Sequence, residues 1–311
     1  MSRCVICKSE EKGAFQCKAS LDYGTVYDVL ECPSCGGFYF DPLPSLNELE
    51  NFYSPSYYDF ERHKNEGRGM AFARKYLRYK KTGKFLDIGC ATGFFINGIK
   101  NNSDWEVYGV EFGAAAAKFA QENLGLNVKQ GEVMSASFPE HYFDFVHVNN
   151  VLEHVLDPPA FLRECRRILK PDGIMYLSVP NGFVDSRDLI TFYKSENRPA
   201  RSKNGHIFFF PKHTLLRMLD ETGFIIEKSH TYGIRRGFRS LGLFPRRGKW
   251  KRPYFPREEA AGDQESVKTV HKPKHSDFYY LYRFTQLNLK MIPGLIPVGL
   301  DFQLILKPAG K

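Results

Sequence analysis

Phe85-Leu86-Asp87-Ile88-Gly89-Cys90-Ala91-Thr92-Gly93 is the stretch that decides the fold. The apolar run from Lys84 to Gly89 reads as a buried strand, and Gly93–Lys100 reads as the helix that follows it. Small residues at the turn let a ligand come close to the backbone. The helix start offers unpaired N–H groups. A dinucleotide site wants Gly-x-Gly-x-x-Gly, but Ala91 takes the place of the middle glycine and Phe94 that of the last. Asp87 adds a carboxylate two residues before Gly89. A pyrophosphate is repelled there, and a ligand carrying positive charge is not.

Strand and helix patterns alternate from this turn onward. Strands are predicted at Trp105–Glu111, Asn127–Gly131, Tyr142–Asn149, Gly173–Pro180, Phe224–His230 and Asp301–Lys307. Helices are predicted at Gly113–Leu124, Pro158–Leu169 and Pro211–Thr222. The alternation implies an α/β fold, a doubly wound and mostly parallel sheet with helices on both faces. Four regions follow. Residues 1–41 form a cysteine knuckle, and 42–82 a linker and helical cap with an aromatic run from Tyr53 to Phe60. Residues 83–233 form the ligand-binding core, and 234–311 a basic insertion plus a final strand.

Over roughly residues 84–230 the motifs resemble, in order, those of the class I S-adenosylmethionine-dependent methyltransferases, which have a Rossmann-like fold. That cofactor carries an ammonium and a sulfonium and no phosphate, which suits an acidic turn. The resemblance implies that Asp87, Gly89, Ala91 and Gly93 contact its methionine part. It gives Glu111, 22 residues after Gly89, the ribose hydroxyls, with Phe112 beside it. Glu132 and Val133, after the third strand, are placed near the adenine. Asn149, ending the strand Tyr142–Asn149, is expected at the cleft.

Methyl transfer is an in-line displacement, to which an enzyme contributes mainly proximity and alignment. A hydroxyl acceptor also needs a base, and His154 in Asn150-Val151-Leu152-Glu153-His154 is the candidate. A histidine that only fixes a helix start is the plainer alternative. His206, in Asn204-Gly205-His206-Ile207-Phe208, lies in a stretch that resembles quinone-biosynthesis methyltransferases. Those enzymes carry an extra Glu three residues before their Glu-His pair as part of a metal site. Asn150 stands there in this chain, so the resemblance does not carry a catalytic metal across.

Cys4-Val5-Ile6-Cys7 and Cys32-Pro33-Ser34-Cys35 are two Cys-x2-Cys knuckles separated by 24 residues. Two such turns complete a tetrahedral sulfur shell that suits Zn²⁺. A closed shell is structural rather than catalytic. Cys17 is a spare.

The chain of 311 residues has a net charge of +9, and most of the excess lies late. From Tyr232 to His275 there are 12 Lys and Arg against 4 Asp and Glu. Within 235–257 the basic residues alternate with aromatics, a composition that suits phosphates, nucleic acid or an anionic membrane surface. The expected partner is a small-molecule acceptor, a sugar or a secondary or surface-polymer metabolite, phosphorylated or lipid-linked, with peripheral membrane contact. The rival readings are a zinc-ribbon nucleic-acid-binding protein and an RNA methyltransferase that uses 235–257. No apolar run reaches the roughly 18–20 residues that span a bilayer, and Met1-Ser2-Arg3-Cys4 begins no apolar leader. The expected location is therefore cytoplasmic.

Overall fold

The computed structural model describes residues 3–21, 24–58, 64–77, 80–202, 205–232 and 301–310. The chain opens with β1 (Ala14–Ser20), β2 (Val26–Glu31) and β3 (Phe38–Asp41). Then come α1 (Leu46–Phe52) and α2 (Lys64–Phe72), the latter running into a π turn, Ala73–Leu77. The alternating region holds β4 (Lys84–Ile88), α3 (Phe94–Lys100), β5 (Glu106–Glu111), α4 (Ala114–Leu124), β6 (Asn127–Gln130) and β7 (Phe143–Asn149). It continues with α5 (Pro158–Ile168), β8 (Leu169–Pro180), α6 (Gly182–Glu196), β9 (Ala200–Arg201), β10 (Phe208–Phe209), α7 (Lys212–Glu221) and β11 (Phe224–Tyr232). The last strand is β12 (Asp301–Pro308).

Seven strands form the main sheet, in the order β11-β12-β8-β7-β4-β5-β6. The strands β6, β5, β4, β7 and β8 are parallel. β12 runs antiparallel between β8 and β11, so the sheet is mixed at that edge. β7 (Phe-Asp-Phe-Val-His-Val-Asn) is buried along its first six residues, as a central parallel strand covered on both faces must be. α5 shows why the helices sit where they do. Asp157 caps it by accepting from the Ala160 amide at 3.0 Å, prolines occupy its first turn, and Phe161, Leu162, Cys165 and Ile168 bury one stripe. The C-terminal ends of β4, β5 and β7 meet at one edge, where ligands of such sheets bind.

A second sheet has the order β10-β3-β2-β1-β9. Its centre is the N-terminal meander, but its two edges come from residues 200–209. β9 pairs parallel with β1, and β10 pairs antiparallel with β3. Pairing therefore continues across the boundary that the sequence places at residue 41.

Besides the short edge strands β9 and β10, which no sequence pattern announces, three elements differ from the sequence reading. β8 starts at Leu169, not Gly173, because Leu169 already pairs with Phe143 across a register shift. α6, which fifteen mixed polar and apolar residues form after the Asn181 cap, has no counterpart in the predicted elements. Within the helical cap expected at 42–82, α2 gives way to the π turn after Phe72. The basic stretch 235–257 lies outside the described residues. Among the described residues no helix is long and apolar enough to cross a membrane.

Candidate active site

The turn after β4 is built on left-handed backbone: φ is 76° at Gly89, 49° at Ala91 and 81° at Gly93. Glycine takes this conformation freely, and alanine needs support for it. Ala91 has that support, because its amide donates to Glu111 Oε2 at 2.7 Å. A Cβ on Gly89 would come within 2.5 Å of Val151 Cγ2, so a side chain there meets the far wall of the cleft. The amides of Gly89 and Cys90 both donate to the Val110 carbonyl, at 2.8 and 3.1 Å, folding the turn back onto β5.

Glu111 is the hub of this side. Its Oε1 accepts from the Gly113 amide at 2.8 Å and from the Tyr58 hydroxyl at 2.7 Å. Burial pushes its carboxyl up, while the bonds from Tyr58, Gly113 and Ala91 pull it back. A cleft of about 200 Å³ opens beside it. Of the residues expected at a cofactor, Gly89, Ala91, Glu111, Phe112, Glu132 and Val133 line this cleft. Asp87, Gly93 and Asn149 do not. Asp87 faces into the sheet, buried, with Oδ1 at 2.6 Å from His147 Nδ1 on the neighbouring strand. Gly93 is the N-cap of α3, and Asn149 is exposed at the end of β7 while Asn150 takes the place on the cleft wall. Among the described lining residues there is no lysine or arginine, which does not suit a phosphate.

His154 stands on the opposite wall, with Tyr53 from the end of α1 against its ring. The Gly205 carbonyl lies 3.0 Å from His154 Nδ1, and since a carbonyl only accepts, Nδ1 carries the proton and Nε2 the lone pair. Burial, together with the charge of His206, holds His154 down at about 3, so it is neutral. Behind it Glu153 is buried, and neither carboxylate oxygen has a hydrogen-bond partner among the described residues. Its Oε1 lies 3.7 Å from His154 Nε2 and 3.8 Å from His206 Nε2. Burial pushes Glu153 up to about 7 against the charge of His206. His206 Nδ1 is bound to Asp185 Oδ2 of α6 at 2.9 Å. Burial would lower His206, but Asp185 and the nearby carboxylates outweigh it and its affinity for a proton rises. Glu153, His154 and His206 converge within 4.8 Å, a donor set fit to share a proton or a cation.

A family model described as a methyltransferase domain matches residues 61–229, more than half of the chain. The chain belongs to this methyltransferase-domain family. A ubiquinone biosynthesis O-methyltransferase of Parvibaculum lavamentivorans is 24% identical over 170 residues, 53% of this chain and 64% of that protein. An uncharacterised methyltransferase of Schizosaccharomyces pombe is 34% identical over 111 residues, 31% of this chain and 40% of that one. The matches thus span 40–64% of the length of these two curated relatives. A solved S-adenosylmethionine-dependent methyltransferase of Archaeoglobus fulgidus aligns over 78% of this chain and 94% of its own, with 20% identity and a TM-score of 0.46.

Outside the matched domain, Cys4, Cys7, Cys32 and Cys35 bring their sulfurs together within 4.8 Å. Cys4 Sγ lies 3.9 Å from Cys35 Sγ, and Cys7 Sγ 3.6 Å from Cys32 Sγ. A tetrahedral shell with metal–sulfur bonds of about 2.3 Å has sulfur–sulfur edges of about 3.8 Å, so the four thiols fit a zinc ion. The two knuckles match in backbone: the Lys8 amide donates to the Cys4 carbonyl and that of Gly36 to Cys32, at 2.7 and 2.8 Å. The hydrogen bond from Cys35 pulls Cys4 toward the thiolate. Cys17 is buried in β1 and stands outside the cluster.

The sequence motifs assign no role to Tyr58, Asp185 or His147. The aromatic run had flagged the stretch that holds Tyr58. Nothing local marked the other two, because their partners lie 21 and 60 residues away.

Proposed function

We propose that this chain transfers a methyl group from S-adenosylmethionine to a hydroxyl of a small-molecule acceptor. The observation that carries the reading is a single cleft with the Glu111 carboxylate and the bent turn on one wall and His154 on the other. The cofactor supplies an electrophilic methyl on a sulfonium. Gly89 and Ala91 give it close backbone approach, Glu111 suits its ribose hydroxyls, and Val133 and Phe112 offer apolar surface to the base. As the new O–C bond forms and the S–C bond breaks, the acceptor O–H proton goes to His154 Nε2, the nitrogen with the lone pair. A histidine held at about 3 does not retain a proton, and Glu153, at about 7 and 3.7 Å away, takes it over. His206, fixed by Asp185, sets the charge that Glu153 meets.

Zinc on Cys4, Cys7, Cys32 and Cys35 is part of the same proposal, in a structural role. The basic and aromatic composition of 235–257 supports an acceptor that bears phosphate or is linked to lipid, met outside the cleft whose described lining holds no lysine or arginine.

Calorimetry with S-adenosylmethionine and its demethylated product tests the core of this. We expect both to bind the intact chain, and Glu111→Ala to weaken them at least about tenfold, the loss of one charge-assisted bond to a buried carboxylate. Indifference of the intact chain to both ligands would refute the reading.

A further inference from the structure

The N-terminal sheet is more than an appendage to the cleft. The segment that carries Gly205 and His206 is stitched into it at both ends. On one side the Ser202 amide donates to the Ser20 carbonyl at 2.8 Å, next to the β1–β9 pairing. On the other, the Phe40 amide donates to the Ile207 carbonyl at 3.1 Å, next to the β3–β10 pairing. Within the segment, the Ser202 hydroxyl donates to the His206 carbonyl at 2.6 Å. The amides of Ile207 and Phe208 then donate to the backbone carbonyl of Glu153, at 3.0 and 3.1 Å. The Gly205 carbonyl holds His154.

A second tie reaches the other acceptor wall. The Tyr27 hydroxyl of β2 donates to Glu48 Oε1 at 2.6 Å, at the start of α1. α1 carries Leu49 and leads into Tyr53, both of which line the cleft. Gly205 has room for no Cβ, because Phe52 of α1 sits 2.5 Å from where it would be. Tyr27 stacks on Phe40 at 5.2 Å, and Phe40 packs against Phe209 at 6.3 Å, joining the two ties through one row of rings. A third tie reaches a metal ligand: the Thr214 hydroxyl of α7 donates to the Cys35 carbonyl at 2.6 Å. By contrast, among the described residues no hydrogen bond joins the meander to the glycine turn or to Glu111.

We infer that the four-cysteine knuckle is the frame of the acceptor wall: through β1, β2 and β3 it fixes the loop that bears Gly205 and His206 and the helix that bears Leu49 and Tyr53, while the cofactor wall stands without it. The inference rests on the knuckle's holding zinc as proposed above. Two consequences separate the walls. Loss of the metal loosens 200–210 and 46–57, and leaves 84–93 and 106–113 as they were.

Hydrogen-exchange mass spectrometry of the full-length chain, zinc-loaded against chelator-stripped under reducing conditions, tests this, with zinc content and S-adenosylmethionine affinity measured on the same samples. We expect exchange in 200–210 and 46–57 to quicken at least about tenfold on stripping, exchange in 84–93 and 106–113 to hold, and cofactor affinity to change less than about threefold. Faster exchange confined to 1–41 overturns the inference, and so does a loss of protection that includes the glycine turn. A second variant, Tyr27→Phe, leaves all four cysteines in place. It is expected to keep its zinc and to quicken exchange in 46–57, and unchanged exchange there counts against the inference. If the chain purifies without metal, the zinc reading falls, and Tyr27→Phe still decides whether the meander frames the wall. Failure to bind cofactor in either state would instead strike the methyltransferase reading.

Discussion

Two carboxylates at the ends of neighbouring strands have turned out to do different work. Glu111 was legible in the sequence because strand, turn and spacing are local signals, and its residue lines the cleft. Asp87 was equally legible as a motif residue, but its side chain is spent on His147 at 2.6 Å, a partner on another strand. That changes what its removal means. Asp87→Ala leaves a buried imidazole nitrogen without an acceptor, which costs about 1–3 kcal/mol, so denaturant titration is expected to show lower stability whatever happens to cofactor binding. An unchanged midpoint would mean that the pair adds nothing to the fold. Glu153 gives a prediction with a definite pH sign. Its carboxyl belongs near 4.5 when exposed and is pushed up to about 7 in the fold. Folding therefore favours its neutral form. That stability is complete below about pH 4 and is lost as the pH rises through 7. Glu153→Gln removes the liability. Thermal melts are expected to show the variant gaining on the parent between about pH 4.5 and 7, to roughly 3 kcal/mol at most above it, while methyl transfer falls. A pH-independent difference would show that Glu153 does not titrate in that window.

At the scale of elements, periodicity found every strand of the main sheet and most helices, because most of them bury a continuous stripe. It could not find what makes two helices cross closely. α2 and α3 meet through glycines: a Cβ on Gly69 would run into the Phe95 carbonyl, and one on Gly98 into that of Glu66. Read locally, a glycine inside a helix is only a weak point. Here it permits the contact that sets Phe72 of α2 5.0 Å from the His147 ring. Gly98→Ala is thus expected to destabilise by about 1–3 kcal/mol, overpacking outweighing the better helix propensity of alanine. Chemical denaturation checks this, and a more stable variant would show that the helices can move apart freely. α6 escaped notice for a related reason. Its polar residues are scattered around the helix, and its buried Val184 and Leu189 give no strong stripe.

For the whole molecule, the sequence marked the knuckle as a region of its own, since cysteine spacing ends abruptly at residue 35. Pairing between strands 169 to 181 residues apart has no local signature, and it is what joins the knuckle to the methyltransferase domain. A chain that starts at residue 42 would leave both edge strands unpaired and uncover Ile207, Phe208, Phe209 and Phe210, all buried now. Calorimetry of that truncation is expected to show melting lowered by at least about 10 °C, or no cooperative transition. Melting at the full-length temperature would mean that the two parts are independent.

The placement of β12 between β8 and β11 bears on how the protein is made. Among the described residues β11 joins the sheet only through β12, and β12 lies about seventy residues further along the chain. While a ribosome is still building the intervening stretch, the β8 border stays open and β11 has nowhere to dock. Sheet closure is therefore delayed until β12 emerges from the exit tunnel, and the nascent sheet keeps a bare strand border until then.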